Sequence, residues 1–411
     1  MMKGPPAVGL LAAASMLLFR AMAGAAPLPA ANVVLGDEVF LSDTWRDLHG
    51  RCVGVVTNQT GVTSRLEPIV DAIRSNPQIC IKAIFSPEHG LRGDQPAGAY
   101  VTSYNDEHSG LPVYSLYGPT RHPTARMLNG IDVLLFDIQD VGSRAYTYIS
   151  TMAYVMQTAK AQHKEVWILD RPNPLGGETI EGPVLDPTFA SFIGLYPIAM
   201  RHGMTVGELA RMFNERFGIG CALRVIAMRG YRRSMLWPDT GLAWVPTSPN
   251  IPDWETALTY PGLGLIDNAG INNGVGSTKP FKYAGAYKLD GFALGDYLNA
   301  RPIPGVHFRP AAWTPTSGFW AGKSLSGVEL VLTDRRATQA VRVAVEILVA
   351  VRRISPSSIS IPSAEALDRD WGTDKLRTAL AGGASVEDIL RSWDGGVHEF
   401  EAARQRYLIY E

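Results

Sequence analysis

Apolar segments typical of strands alternate along the chain with segments whose apolar residues recur at helical spacing. Residues 51–61 (RCVGVVTNQTG) read as a β-branched strand that runs into a turn, and residues 131–140 (IDVLLFDIQD) as a strand covered on both faces. Residues 146–164 (YTYISTMAYVMQTAKAQHK) have the periodicity of a long helix. The same criteria predict further strands at 79–85, 111–118, 165–174 and 222–228, and helices at 66–75, 123–130 and 204–218.

This alternation favours an α/β fold with a parallel sheet and crossover helices. Residues 239–286 are rich in Pro, Gly and Asn, and we expect them to form a long connecting region. A strand at 327–334 and helices at 339–354 and 385–393 follow. The pattern therefore predicts a large N-terminal α/β domain at residues 33–255 and a smaller α/β C-terminal domain at residues 256–411.

The first 26 residues have the composition of a secretory signal peptide. Lys3 precedes an apolar stretch, and small residues follow it up to Ala26, so cleavage is expected after Ala23 or Ala26. The apolar stretch is short for a membrane span, and no later segment is long enough for one. We expect an exported protein, periplasmic or secreted, that is not inserted in the membrane once the signal is removed.

The chain of 411 residues has a net charge of −1 and no block of like charges, which gives no electrostatic argument for nucleic acid binding. Three cysteines, Cys52, Cys80 and Cys221, lack the spacing of a zinc site. Buried free thiols are the expectation for them, and a bridge between Cys52 and Cys80 is the alternative.

Polar side chains follow four of the predicted parallel strands. Because the carboxyl ends of parallel strands lie on one edge of a sheet, where open α/β folds bind ligands, these side chains are candidates for one crevice. Those nearest the strand ends are Asn58, Glu88, His89, Arg92, Asp137, Gln139, Asp140, Arg144, Asp170, Arg171 and Asn173. The alternative for each residue is a structural role in a turn or an ion pair.

Motifs for dinucleotides, P-loop phosphates, zinc helices and EF-hand calcium are missing from the sequence, so we expect neither a cofactor nor a metal. Carboxyl and imidazole groups without a cofactor suit glycoside hydrolysis, which needs one protonated carboxylic acid and a second group that assists at the anomeric carbon. A periplasmic sugar-binding protein without turnover is the alternative, because two α/β lobes with a polar cleft also describe that class.

Several strings resemble the exo-acting β-N-acetylmuramidases of bacterial peptidoglycan turnover over essentially the whole mature chain. They are VVTNQTGV, SPEHGLRG, GLPVYSLYG, DVLLFDIQDVGSRAYTYISTM, LDRPNPLGG, EGPVLDP, GLYPIAMRHGMTVGELARMFN and WVPTSPNIPDWETALTYPG. The resemblance implies a Rossmann-like N-terminal domain, a smaller C-terminal domain and removal of N-acetylmuramic acid from the non-reducing end of peptidoglycan fragments. It also implies that the glutamate of SPEHG, Glu88, is catalytic.

Further roles follow as hypotheses. His89 and Asp140 are candidate catalytic partners of Glu88, and Arg92, Arg144 and Arg171 are candidates for binding the lactyl carboxylate of muramic acid. Tyr148 is a candidate for packing on a sugar face, and His202 for supporting the crevice. At residues 265–281, Asn273, Val275 and Lys279 depart from the family pattern, which suggests an exported hydrolase of a different amino sugar as a further alternative.

Overall fold

The computed structural model describes residues 31–411 together with Met1 and Gly4, so the predicted signal peptide falls almost entirely outside the described residues. Within the described part of the chain, none of the helices combines the length and hydropathy needed to cross a bilayer.

A seven-stranded sheet forms the centre of the N-terminal part. Its strands are β1 (Cys52–Thr57), β2 (Cys80–Ser86), β3 (Tyr104–Asn105), β4 (Pro112–Ser115), β5 (Val133–Asp137), β6 (Glu165–Leu169) and β7 (Ala222–Ile226). They lie in the order β3-β4-β2-β1-β5-β6-β7, and all pairs are parallel except that of the edge strand β3 with β4. Without β3, the six parallel strands have the doubly wound Rossmann order, whose switch point lies between β1 and β5.

Alternating strand residues bury the sheet on both faces. In β5, Val133 and Leu135 point into one apolar cluster, whereas Leu134 and Phe136 point into another. The first cluster contains residues of α1 (Gly36–Ser42) and α2 (Ile69–Arg74), and the second contains residues of α3 (Tyr148–Ala161) and α4 (Val206–Glu215). This two-sided burial is why the strand reads as a continuous apolar run, as the sequence predicts.

The C-terminal part has a three-stranded antiparallel sheet of β8 (Tyr283–Ala286), β9 (Val306–Trp313) and β10 (Leu325–Leu332), in the order β8-β10-β9. Its helices are α5 (Trp254–Leu263), α6 (Gly291–Asn299), α7 (Ala340–Ile354), α8 (Ala364–Trp371), α9 (Lys375–Gly382), α10 (Val386–Arg391) and α11 (Asp394–Arg404). The α/β class and the second, smaller sheet are confirmed.

The two sheets share one continuous core. Phe308 and Val328 of the small sheet belong to the same apolar cluster as α3, α4 and α7. The chain end also returns to the large sheet, where the hydroxyl of Tyr410 donates to Asp170 at 2.7 Å. The domain boundary at 255/256 therefore stays a prediction.

Two local predictions were wrong. Residues 125–130 form turns instead of a helix, because only Pro123 and Leu128 of the predicted segment 123–130 are buried and a short helix needs an apolar face to pack. Residues 239–286 are not a plain connection, since they contain α5 and β8. Asp253 caps α5 by accepting the Thr256 N–H at 2.7 Å, but Pro261 lies inside the helix and obscures the helical pattern in the sequence.

The expectation of three free thiols was also wrong. Cys52 and Cys80 are register partners at the starts of β1 and β2 and form a disulfide, while Cys221 is free and buried. The bridge closes a loop with a sequence separation of 28 residues that contains α2.

Replacing both bridged cysteines by alanine is expected to lower the free energy of unfolding by roughly 3 kcal/mol, because the open loop gains entropy in the unfolded chain. Urea unfolding of the wild type with and without reductant, and of the double variant, measures this. Cys221→Ala is the control and should keep the wild-type response to reductant. Equal midpoints for oxidised wild type and double variant would contradict the prediction.

Candidate active site

The carboxyl ends of the parallel strands form one polar edge at the switch point. Asn58 follows β1, Glu88 follows β2, Asp140 follows β5 and Asp170 follows β6. All four are buried, but their hydrogen-bond partners differ. These partners distinguish residues that stabilise the loops from residues that can contact a substrate.

Two hydrogen bonds from separate loops hold the Glu88 carboxyl, which is 7% exposed. The Gly98 N–H donates to Oε1 at 2.8 Å, and the Thr147 hydroxyl donates to Oε2 at 2.8 Å. Gly98 has a φ of 75°, a conformation that favours glycine. Gly98 lies in the long connection from β2 to β4, and Thr147 lies directly before α3, so the two contacts fix the carboxyl from two directions.

Thr147 occupies the N-cap position of α3 but does not cap it, since its hydroxyl is engaged with Glu88. A threonine at that position ordinarily stabilises its own helix. Tyr117, which follows β4, also lies close to Glu88: burial and then the charge of the Glu88 carboxylate raise the pKa of Tyr117. Residues from the ends of β2, β4 and β5 therefore converge on one carboxyl.

His89 has an unusual backbone conformation beside Glu88. Its φ of 68° is in the left-handed region, which is uncommon for residues other than glycine and concentrates at functional sites. Its Nδ1 lies 2.8 Å from the carbonyl oxygen of Gln95. Because a carbonyl only accepts, Nδ1 carries the proton, and Nε2 is the basic nitrogen of the neutral ring.

An open cleft of about 470 Å³ adjoins the carboxyl, and it shares Gly98 and Tyr117 with the surroundings of Glu88. Tyr154 forms part of its wall, with His122 stacked on it at a ring separation of 3.9 Å. The Arg121 guanidinium lies over Tyr117, 5.0 Å from the ring centroid. Aromatic faces of this kind suit the apolar faces of sugar rings.

Besides Arg144, whose Nε and Nη1 are unpaired, four of the candidate residues have buried polar atoms with no partner among the described residues. They are Asn58 Nδ2, Gln139 Oε1, Asp140 Oδ1 and His202 Nε2. Asp140 Oδ2 accepts the Gly142 N–H at 2.7 Å and lies 3.8 Å from His202 Nε2. Buried polar atoms are ordinarily paired, so this group has the capacity to bind water or a ligand at the switch point.

Asp137 and Arg171 belong instead to a buried ion cluster. Arg171 donates to both oxygens of Asp137, at 2.6 and 2.9 Å, and to Asp37 at 2.9 Å. Burial raises the pKa of both carboxyls, and that of Asp37 reaches about 8. The Arg171 guanidinium that they share lowers both pKa values and so opposes part of this increase. Every strong contact of this pair is internal, so the predicted substrate contacts of Asp137 and Arg171 are not supported.

Asp170 and Asn173 also hold the scaffold. Asp170 accepts four hydrogen bonds, from the N–H groups of Arg171 and Gly207 and from the hydroxyls of Thr205 and Tyr410. Asn173 pairs with backbone groups of Leu175 and Met204. With their acceptors occupied, neither residue is available to a sugar.

The remaining candidates lie away from the Glu88 cleft or are enclosed. Arg144 is 1% exposed and donates to the Asp370 carbonyl, and burial lowers its pKa to about 9. The Tyr148 hydroxyl donates to the Thr247 carbonyl at 2.6 Å, so this buried ring fixes a loop rather than packing on a sugar. Arg92 is half-exposed, pairs with Asp106 and lines a different cleft.

Sequence reasoning missed Gly98, Tyr117, Arg121 and Thr147. Tyr117 follows a strand that was predicted, and the strand-end criterion would have found it had uncharged residues been included. Arg121 is four residues further on. Gly98 and Thr147 contact Glu88 only through the tertiary fold, and no local pattern marks them.

The comparisons with known proteins agree over nearly the whole chain. Family models described as "Exo-beta-N-acetylmuramidase NamZ", N-terminal and C-terminal, match residues 53–255 and 258–410. The chain is 44% identical over 379 residues to the peptidoglycan beta-N-acetylmuramidase NamZ of Bacillus subtilis (strain 168), which covers 92% of each protein.

The chain belongs to the NamZ family.

Crystal structures of two DUF1343 family proteins from Bacteroides fragilis NCTC 9343 share the NamZ-family fold of this chain. One has a TM-score of 0.87 at 36% identity and covers 93% of this chain and 100% of its own. The other has a TM-score of 0.72 at 27% identity and covers 92% of this chain and 99% of its own. Their similarity extends across both sheets.

The loop that departs from the NamZ pattern packs on the small sheet. The Asn273 carbonyl accepts the Phe281 N–H at 2.7 Å, and Lys279 forms an ion pair with Glu329 at 3.2 Å. None of the residues that line the Glu88 cleft comes from residues 265–281. A different sugar preference caused by Asn273 and Val275 therefore has no support from this geometry. Among the described residues, no group of three or more His, Cys, Asp or Glu side chains is arranged to hold a metal.

The buried Asp37 carboxyl is expected to make stability depend on pH. Its pKa is about 8 in the folded protein against an ordinary value of 3.8, so the folded state binds an additional proton between these values. The free energy of unfolding should therefore fall as the pH rises from about 4 to about 8, by at most about 1.4 kcal/mol per pH unit.

Asp37→Asn should flatten that slope, and urea unfolding at about pH 5 and about pH 8 measures it. Asp47→Asn, which removes an exposed acid, is the control. An identical slope in wild type and Asp37→Asn would show that Asp37 does not bind the proton.

Proposed function

We propose that the protein is an exo-acting β-N-acetylmuramidase that releases N-acetylmuramic acid from the non-reducing end of peptidoglycan fragments. The observation that carries the proposal is the Glu88 carboxyl, held by two loops beside an open aromatic cleft in a member of the NamZ family. Its partners are muramyl saccharides derived from peptidoglycan, in agreement with the name of the Bacillus subtilis relative.

Glu88 is the proposed general acid, which protonates the glycosidic oxygen as the bond to the anomeric carbon breaks. Its two contacts suit this role. The Gly98 N–H only donates, so it keeps Oε1 as an acceptor, and the Thr147 hydroxyl donates to a lone pair of Oε2, which leaves the acid proton on Oε2 free to point at the glycosidic oxygen. The carboxyl therefore keeps its orientation before and after it transfers its proton.

Two groups are candidates to assist the reaction at the anomeric carbon. One is the substrate's own 2-acetamido group, whose participation removes the need for a protein nucleophile. The other is the protein, where His89 Nε2 can accept a proton from water, and Asp140, with its unpaired Oδ1, can orient one. Gln139, whose Nε2 donates to the Asp140 carbonyl at 2.8 Å, and His202, whose Nε2 lies 3.8 Å from Asp140 Oδ2, adjoin Asp140, whereas Asn58 lines the cleft that contains Arg92.

Glu88→Gln is expected to lower kcat on a chromogenic β-N-acetylmuramide by about a hundredfold or more, because the amide has no proton of suitable acidity to give. Glu107→Gln, which changes an exposed acid elsewhere in the β2–β4 connection, is the matched control and should keep full activity. Hydrolysis by Glu88→Gln within a few-fold of wild type would remove Glu88 from the acid role.

The same assay separates turnover from binding alone. A binding protein would saturate with the muramide and release no product, and a hydrolase of another amino sugar would prefer a glucosaminide.

Export to the periplasm or the medium is the second part of the proposal. The first 26 residues have the composition of a signal peptide, and the Cys52–Cys80 bridge suits an oxidising compartment. Peptidoglycan also lies outside the cytoplasmic membrane.

Mass spectrometry of the protein isolated from its native cells is expected to find the N-terminus directly after Ala23 or Ala26. A mature chain that begins at Met1 would refute signal cleavage.

A further inference from the structure

The cleft beside Glu88 contains an arginine that no carboxylate neutralises. Arg121 is exposed and forms no ion pair with any described residue. Its guanidinium lies 4.1 Å from the ring centroid of Phe192 and 5.0 Å from that of Tyr117. A guanidinium that stacks through its faces keeps the N–H donors of its edge free, and those donors match a carboxylate in bidentate geometry.

The other arginines that the sequence suggested for an anionic substrate are engaged or distant. Arg171 is shared between two buried carboxylates. Arg144 has two nitrogens without a partner among the described residues, Nε and Nη1, but it is 1% exposed and does not line the Glu88 cleft. Arg92 pairs with Asp106 in another cleft. Within the Glu88 cleft, Arg121 is thus the cation available to an anion.

Gly98 links Arg121 to Glu88, because it lines the same cleft as Arg121 and donates its N–H to Glu88 Oε1 at 2.8 Å. The ring of Tyr117, which also lines the cleft, lies under Arg121. This arrangement suits a substrate with an anionic substituent near its reacting bond. Muramic acid differs from glucosamine by a lactyl ether on O3, which places its carboxylate beyond C3, two ring carbons from the anomeric carbon. A pyranose seated against Tyr117 with its glycosidic oxygen at Glu88 would direct that carboxylate toward Arg121.

We propose that Arg121 is the specificity-determining residue that binds the lactyl carboxylate of N-acetylmuramic acid, and that the rings of Tyr117 and Phe192 hold it in place. This inference rests on the proposed function and adds to it the group by which muramides are distinguished from sugars without a carboxylate.

The test compares two chromogenic substrates, β-N-acetylmuramide and its lactyl carboxamide, which differ only in the charge of the substituent. For Arg121→Met, kcat/KM on the carboxylate is expected to fall at least about tenfold, while kcat/KM on the carboxamide stays within about twofold, because only the first substrate loses a charge-assisted pair. Arg121→Lys keeps the positive charge but lacks the bidentate N–H donors of the guanidinium. Its kcat/KM on the carboxylate should lie between those of the wild type and Arg121→Met.

Arg46→Met is the matched control, because Arg46 also lies over an aromatic ring, 5.0 Å from the Trp45 centroid, but precedes β1 at the opposite edge of the sheet. It should leave both substrates unchanged. Equal losses on both substrates in the Arg121 variants, or no loss on either, would overturn the inference. In both cases, hydrolysis of the muramide by the wild type would still uphold the proposed function. If wild type hydrolyses neither substrate, the proposed function itself fails.

Discussion

The hydrogen bonds of Glu88 depend on the parallel sheet. Glu88 follows β2, Gly98 lies in the connection from β2 to β4, and Thr147 lies between β5 and α3. These residues meet because β2, β1 and β5 are adjacent and parallel, so their carboxyl ends share one edge. A shift of one strand would move Thr147 away from the carboxyl, and the buried Oε2 would lose its hydrogen bond at a cost of about 1–3 kcal/mol.

The charged residues at this edge divide into two groups with different tasks. Asp37, Asp137, Asp170 and Arg171 are almost fully buried and pair with one another or with backbone groups, so they hold loops and strands together. Arg121 lines the open cleft and Glu88 adjoins it through its hydrogen bond with Gly98, and among the described residues no buried ion-pair partner neutralises either side chain. In the proposed function, catalysis and recognition therefore use few charged residues, and most of the charged residues at this edge stabilise the scaffold.

The sequence predicted those elements whose burial pattern and caps are determined by their own residues. Residues 131–140 read as a two-sided buried strand because both faces of β5 are covered, and 204–218 read as a helix because Thr205 and Glu208 form a capping box before an apolar stripe. It found Glu88 from its strand end and its motif. It did not separate Asp137 from Asp140, since burial depends on neighbours such as Arg171 that are distant in sequence. It gave the Cys52–Cys80 bridge only as the alternative to free thiols, because pairing requires the strand register.

The most direct test of the account is a crystal structure of the Glu88→Gln variant with a disaccharide that has N-acetylmuramic acid at its non-reducing end. The account predicts that the muramic acid lies against Tyr117 and that its glycosidic oxygen is about 3 Å from the side chain of residue 88. A disaccharide bound instead in the cleft lined by Asn58, Arg92 and His108, with residue 88 out of contact, would contradict it.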